Sequence, residues 1–96
     1  MAADYQFRYQ LEKQVKTALR LSTDHFDVHE LRPLIDACML DMQGAGVDLE
    51  KNKMLVRQAA VFYCKANFGL EPDEKWMRQY EKLRDALGSR TAVTDA

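Results

Sequence analysis

His25 and His29 stand four residues apart with Asp24 and Asp27 beside them, side chains of the type that ligate metals. A zinc-protease helix, however, needs a Glu directly after the first His of an H-E-x-x-H run to serve as general base. Phe26, Asp27 and Val28 fill that interval here. His25 also precedes the helix that follows, so the two rings need not share a face, and no third His or Cys stands nearby. The pair reads as two surface histidines, and no metal is expected. Ser22 and Thr23 adjoin Asp24 and His25 in sequence only, and no G-x-S-x-G elbow occurs. Gly44-Ala45-Gly46 lacks the Lys of a phosphate-binding loop. Cys38 and Cys64 match neither a redox nor a zinc spacing and read as reduced core thiols. No catalytic residue and no cofactor is expected, and the chain does not read as an enzyme.

Charge gives a second set of candidates. Lys51, Lys53, Arg57 and Lys65 make one segment basic, and Lys53 with Arg57, one helical turn apart, suits contact with phosphates. The whole chain carries a net charge of -1, without the basic excess that supplies most duplex affinity. The local balance is uneven: +3 over Arg8–Arg20, -5 over Leu21–Asp48 and +3 over Leu49–Leu70. Lys13, Lys16, Arg20, Lys53 and Arg57 on basic faces, with Asp36 and Asp41 on an acidic one, are therefore candidates for head-to-tail contact between copies or with a partner.

These side chains must be positioned by helices. One Ile and six Val stand against eleven Ala, eleven Leu and five Met, and no six-residue segment alternates apolar with polar. Four apolar stripes have helical spacing: Phe7, Leu11, Val15, Ala18 and Leu19; Leu31, Leu34, Ile35, Cys38, Met39 and Met42; Leu55, Ala59, Phe62, Tyr63 and Ala66; Trp76, Tyr80, Leu83 and Leu87. Glu12, Lys13, Lys16 and Arg20 turn away from the first stripe, Asp36 and Asp41 from the second. The third is flanked by Val56, Ala60 and Val61, an arc wide enough for the most buried helix or for one that also serves an interface.

Punctuation divides the stripes. Asp27 with Glu30 forms a capping-box pattern before the second helix. Pro33 conflicts with that start, because six residues in it removes a needed N–H, so the helix either begins nearer Glu30 or kinks at Pro33. Gly44-Ala45-Gly46 ends the second helix, Asp48 can cap the third, Gly69 suits a left-handed position after it, and Pro72-Asp73 suits the start of the fourth. The sequence thus predicts a single all-α domain over 1–96, a compact bundle of about four helices, with a core over about 8–87 and flexible tails at 1–7 and 88–96. Trp76 is expected mostly buried against the third helix, near Phe62 or Tyr63. The longest apolar runs, such as Ala59–Tyr63, are too short for a membrane span, and the N-terminus lacks a signal-peptide pattern. Cytosolic residence is expected.

The order of several strings resembles a known family. Val15-Lys16-Thr17-Ala18-Leu19-Arg20-Leu21-Ser22 is followed by Phe26-Asp27 and Leu34-Ile35-Asp36-Ala37. Asp41-Met42-Gln43-Gly44-Ala45-Gly46-Val47 then closes a helix. Arg57-Gln58-Ala59-Ala60-Val61-Phe62-Tyr63-Cys64-Lys65-Ala66-Asn67-Phe68-Gly69 follows, and then Tyr80-Glu81-Lys82-Leu83. Together they cover about residues 11–87 and resemble the small head–tail connector, or DNA-packaging and head-completion, proteins of long-tailed bacteriophages. Leu21 stands where that family more often has Ile, and residues 1–10 extend beyond its usual start. The resemblance implies an α-helical structural protein, roughly a dozen copies of which form a ring beneath the portal and extend the DNA channel toward the stopper and tail. It further implies that the partners are other copies, the portal protein and a downstream stopper or tail-completion protein. DNA would be enclosed without specific binding. The protein would pass from host cytoplasm to the head–tail junction of the virion. The alternative from residues alone is a small helix-turn-helix DNA-binding regulator, or an adaptor without a phage role.

Overall fold

The computed structural model describes residues 2–22, 27–69 and 72–95, with side chains for 7–22, 29–69 and 72–89. Four α-helices follow one another: α1 (Ala2–Ala18), α2 (Arg32–Gly44), α3 (Lys53–Asn67) and α4 (Glu74–Asp95). No strand occurs among the described residues. A single π-helical turn, Asp27–Leu31, leads into α2. The four stripes face one another, and Leu11, Val15, Leu31, Ile35, Met42, Val56, Tyr80 and Leu87 are all but fully buried. The all-α bundle is as expected.

The wide apolar arc of α3 has a plain cause. This helix packs against α1, α2 and α4 together, most extensively against α4. Its fully buried line runs through Val56, Ala59, Ala60 and Cys64, whereas Leu55 and Phe62, counted on the main stripe, are half-buried.

Pro33 is accommodated by the first of the two expected routes. With α2 starting at Arg32, Pro33 falls in its first turn, directly after the π-helical turn Asp27–Leu31. The opposite end of α2 closes with Gly46 at φ 88°: Gly46 N–H donates to Gln43 O (3.1 Å) and Val47 N–H to Met42 O (3.0 Å). Val47 is buried beside this turn, as the hydrophobic partner of such an ending should be. The close of α1 has the same pair of bonds, Arg20 N–H to Thr17 O and Leu21 N–H to Lys16 O, but places Arg20 itself at φ 60°.

Other expectations are corrected. Asp48 does not cap α3; its carboxylate accepts from Glu50 N–H (2.9 Å) within its own turn, and α3 begins after Asn52 at φ 54°. Asp73, by contrast, accepts from Lys75 N–H (3.0 Å) and caps α4, and Gly69 has φ 111°. Gly88, read as the first tail residue, lies inside α4 and is buried, and helical backbone continues to Asp95. A Cβ at Gly88 would stand 2.5 Å from Ala45 O, so α4 crosses the end of α2 backbone to backbone. The Asp27 side chain on which the expected capping box depends lies outside the described residues, as do Thr23, Asp24, His25 and Phe26.

Candidate functional site

Three groupings of polar side chains arise from this packing. The first is the seam between α1 and α2. Arg8 pairs with Asp36, and one turn along Arg32 Nε donates to Glu12 Oε2 at 3.0 Å. Glu12, expected on the outer face, is only 8% exposed. Its carboxylate is tolerated there because Arg32 supplies the opposite charge. Beside the pairs a cleft of about 270 Å³ is lined by Arg8, Tyr9, Glu12 and Arg32. Tyr9 is half-exposed, with the Lys13 ammonium 4.8 Å from its ring centre.

The second grouping locks α2 to α4. The Tyr80 hydroxyl donates to Asp41 Oδ2 at 2.5 Å, and Arg84 Nη1 donates to the same oxygen at 2.9 Å. The Tyr80 ring meets Tyr63 edge-on at 5.0 Å. The Tyr80 hydroxyl and the Arg84 guanidinium hold the Asp41 carboxyl below its ordinary range, against the opposing effect of burial. Burial, with the neighbouring carboxylate, raises the Tyr80 hydroxyl in turn. Cys38 and Cys64 are both free and buried. Burial pushes the Cys64 thiol up to about 12 and raises Cys38 as well. Thiols held neutral are poor nucleophiles, and neither thiol lines the cleft beside Tyr9 or a second one bordered by His29, Pro33 and Phe68. The chemistry of this cluster is cohesion.

The third grouping lies between α3 and α4. Trp76 stacks on Phe62, with ring centres 5.6 Å apart and planes at 24°. Trp76 meets the expected partner but stays half-buried, because it sits on the first turn of α4 at the edge of the bundle. The ammonium groups of Lys65 and Lys75 stand 4.5 Å and 5.7 Å from its ring centre.

The seven candidate contact residues are not brought together on one surface. Asp36 and Asp41 are engaged by Arg8 and by Tyr80 with Arg84, inside the monomer. Arg57 lies over Phe7 and donates to Gln10 Oε1 (3.1 Å), and Lys53 pairs with Glu50 (3.4 Å). Lys13 lies over Tyr9, Lys16 is half-buried near the end of α1, and Arg20 is exposed at its closing turn. Sequence reasoning passed over Arg8, Arg32 and Arg84, which reach Asp36, Glu12 and Asp41 at separations of 28, 20 and 43 positions. It counted Trp76 only as a core anchor.

Among the described residues no group of three or more His, Cys, Asp or Glu is placed to hold a metal ion. No helix among them is long and apolar enough to cross a membrane. No protein family, curated protein or solved structure compared with the chain matches it.

Proposed function

We propose that the chain is a structural head–tail connector of a long-tailed phage or prophage, which assembles as a ring beneath the portal and extends the DNA channel. Its partners in this reading are other copies, the portal protein and the next stopper or tail-completion protein. It acts in the host cytoplasm during assembly and afterwards at the head–tail junction. The observation that carries the reading is where the resembling strings fall. Asp41–Val47 forms the glycine-closed end of α2, with Val47 buried, and Arg57–Gly69 forms most of the central helix with its positive-φ glycine. The strings are thus the parts that fix how three helices meet.

The regulator alternative needs a helix free to enter a groove and a tight turn before it. The basic helix α3 is packed on three sides, eight residues separate it from α2, and Arg57 is turned onto Phe7. These features weigh for an assembly role.

Electron microscopy of the purified protein mixed with the portal protein encoded beside it tests the proposal. Rings capping the portal are expected; portals that stay bare at saturating protein would reject it. In a parallel titration no sequence-specific duplex binding is expected. Nanomolar binding to DNA flanking its own gene, of the strength typical of regulators at about 10⁻⁸ M or tighter, would favour the alternative, above all if Lys53→Ala with Arg57→Ala abolished it.

A further inference from the structure

The cations of this molecule are unequally satisfied. Arg8, Arg32, Lys53 and Arg84 each have a carboxylate partner. Lys65 and Lys75 are held over the Trp76 ring and form no ion pair among the described residues. A ring quadrupole attracts an ammonium without neutralising it. It leaves N–H donors free while restricting where the side chain can go, so an arriving carboxylate meets cations already ordered. With Phe62 and half-buried Trp76 between them, the two ammonium groups make a patch for an anionic segment that also carries an apolar side chain.

The chain contains such a segment. From Leu21 to Leu31 it has Asp24, Asp27 and Glu30, no Lys or Arg, and Phe26 among the acids. Asp36 and Asp41 are engaged by Arg8 and Arg84, and these three acids are three of the other four in Leu21–Asp48. We propose that the Phe62–Lys65–Lys75–Trp76 patch of one copy takes the acidic 21–31 segment of a second copy. Two different surfaces of the same chain then meet, a heterologous contact that repeats into a ring when its rotation closes. The proposal rests on the connector reading and names the contact that reading leaves open.

Trp76 is the sole tryptophan, so its emission reports the patch directly. The probe is a peptide with the sequence of residues 21–31, which contains neither Trp nor Tyr, titrated into the full-length protein. A saturable change in emission is expected, weakened at least about tenfold, or 1.4 kcal/mol, by Lys65→Glu with Lys75→Glu. A peptide carrying Asp24→Lys, Asp27→Lys and Glu30→Lys should recover binding to that charge-reversed protein. Circular dichroism checks that the variant is folded, and Lys65→Gln with Lys75→Gln replaces it if it is not. No saturable change up to about 1 mM, a range weaker than roughly 4 kcal/mol of binding, overturns the proposal. So does a change indifferent to both lysine charges. A single-stranded oligonucleotide run in parallel that binds in a lysine-dependent way while the peptide does not would also overturn it, and would make the patch a nucleic-acid surface. The two proposals separate on the portal. Normal rings from a folded charge-reversed protein defeat this contact and leave the connector reading standing. Bare portals alongside tight peptide binding do the opposite.

Discussion

Removing one oxygen from Tyr80 separates its ring from its hydroxyl. In Tyr80→Phe the ring stays against Tyr63, but Asp41 loses a donor and keeps only Arg84. A loss of about 1–2 kcal/mol is expected in denaturant titration at neutral pH, against about 3–5 kcal/mol for Tyr80→Ala. Asp41 has a lowered pKa in the folded state, first through Tyr80 and then through Arg84. Its contribution is therefore complete above the unfolded value of about 3.9 and is lost as pH falls through the folded one. The advantage of wild type over the Phe variant should be full at pH 7 and shrink below about pH 4; a difference constant with pH would show that the hydroxyl does not act through the carboxylate. The thiols behave in the opposite sense. With its pKa raised to about 12 by burial, Cys64 favours the fold fully below the unfolded value of about 8.5, and this contribution is lost as pH climbs from there toward 12. At pH 8 neither Cys38 nor Cys64 should react with a disulfide reagent until the protein is unfolded. Rapid labelling of two thiols in the native protein would contradict their burial.

Gly88 sets two effects at the level of the helix against each other. Helix propensity alone says that Gly88→Ala stabilises α4 by about 1 kcal/mol. The added carbon would meet the backbone oxygen of Ala45 at 2.5 Å, and a backbone atom cannot swing aside. Separating α4 from the end of α2 should cost about 1–3 kcal/mol, so a net loss of stability is expected, read as a lower Tm. A rise would mean that the crossing is loose. The same glycine marks the limit of what the sequence discloses. Apolar periodicity located all four helices, and Gly46 and Gly69 announced their turns because only a few conformations need a residue without Cβ. Gly88 follows the last apolar residue of its stripe, Leu87, and so looked like the start of a tail; the backbone that demands its smallness lies 43 positions earlier. Glu12 misled for the same reason. A carboxylate reads as solvent-facing until its partner is known, and Arg32 is 20 positions on. At the candidate site the aromatic partner of Trp76 was legible from the stripes, whereas the half-buried setting of its ring and its two lysines depend on how α3 meets α4.

Charge looks different over the whole molecule than over its segments. The alternation of basic, acidic and basic runs suggested opposed outer faces, yet Arg8 with Asp36 and Arg84 with Asp41 are intramolecular. What a neighbour meets is the remainder. Contacts built on that remainder should weaken as salt rises, since exposed charges are screened within about 8 Å at physiological ionic strength. Sedimentation velocity across a salt series should show oligomers giving way to monomer. Oligomers that strengthen in salt would instead place the contact on exposed apolar side chains, of which Leu40 at 70% and Met54 at 81% are the most exposed large ones among the described residues.

The two ion pairs of the α1–α2 seam have a further consequence, for the route by which the chain finds its fold. Arg8 opposes Asp36 and Glu12 opposes Arg32, so the helices run antiparallel with the charges crossed. Sliding α1 by one turn in one direction would set Arg8 against Arg32. Sliding it by one turn in the other would set Glu12 against Asp36. Either misalignment exchanges an attraction for a repulsion, so these four charges work as a key with a single cut, admitting one alignment of the hairpin and refusing both of its nearest imitations.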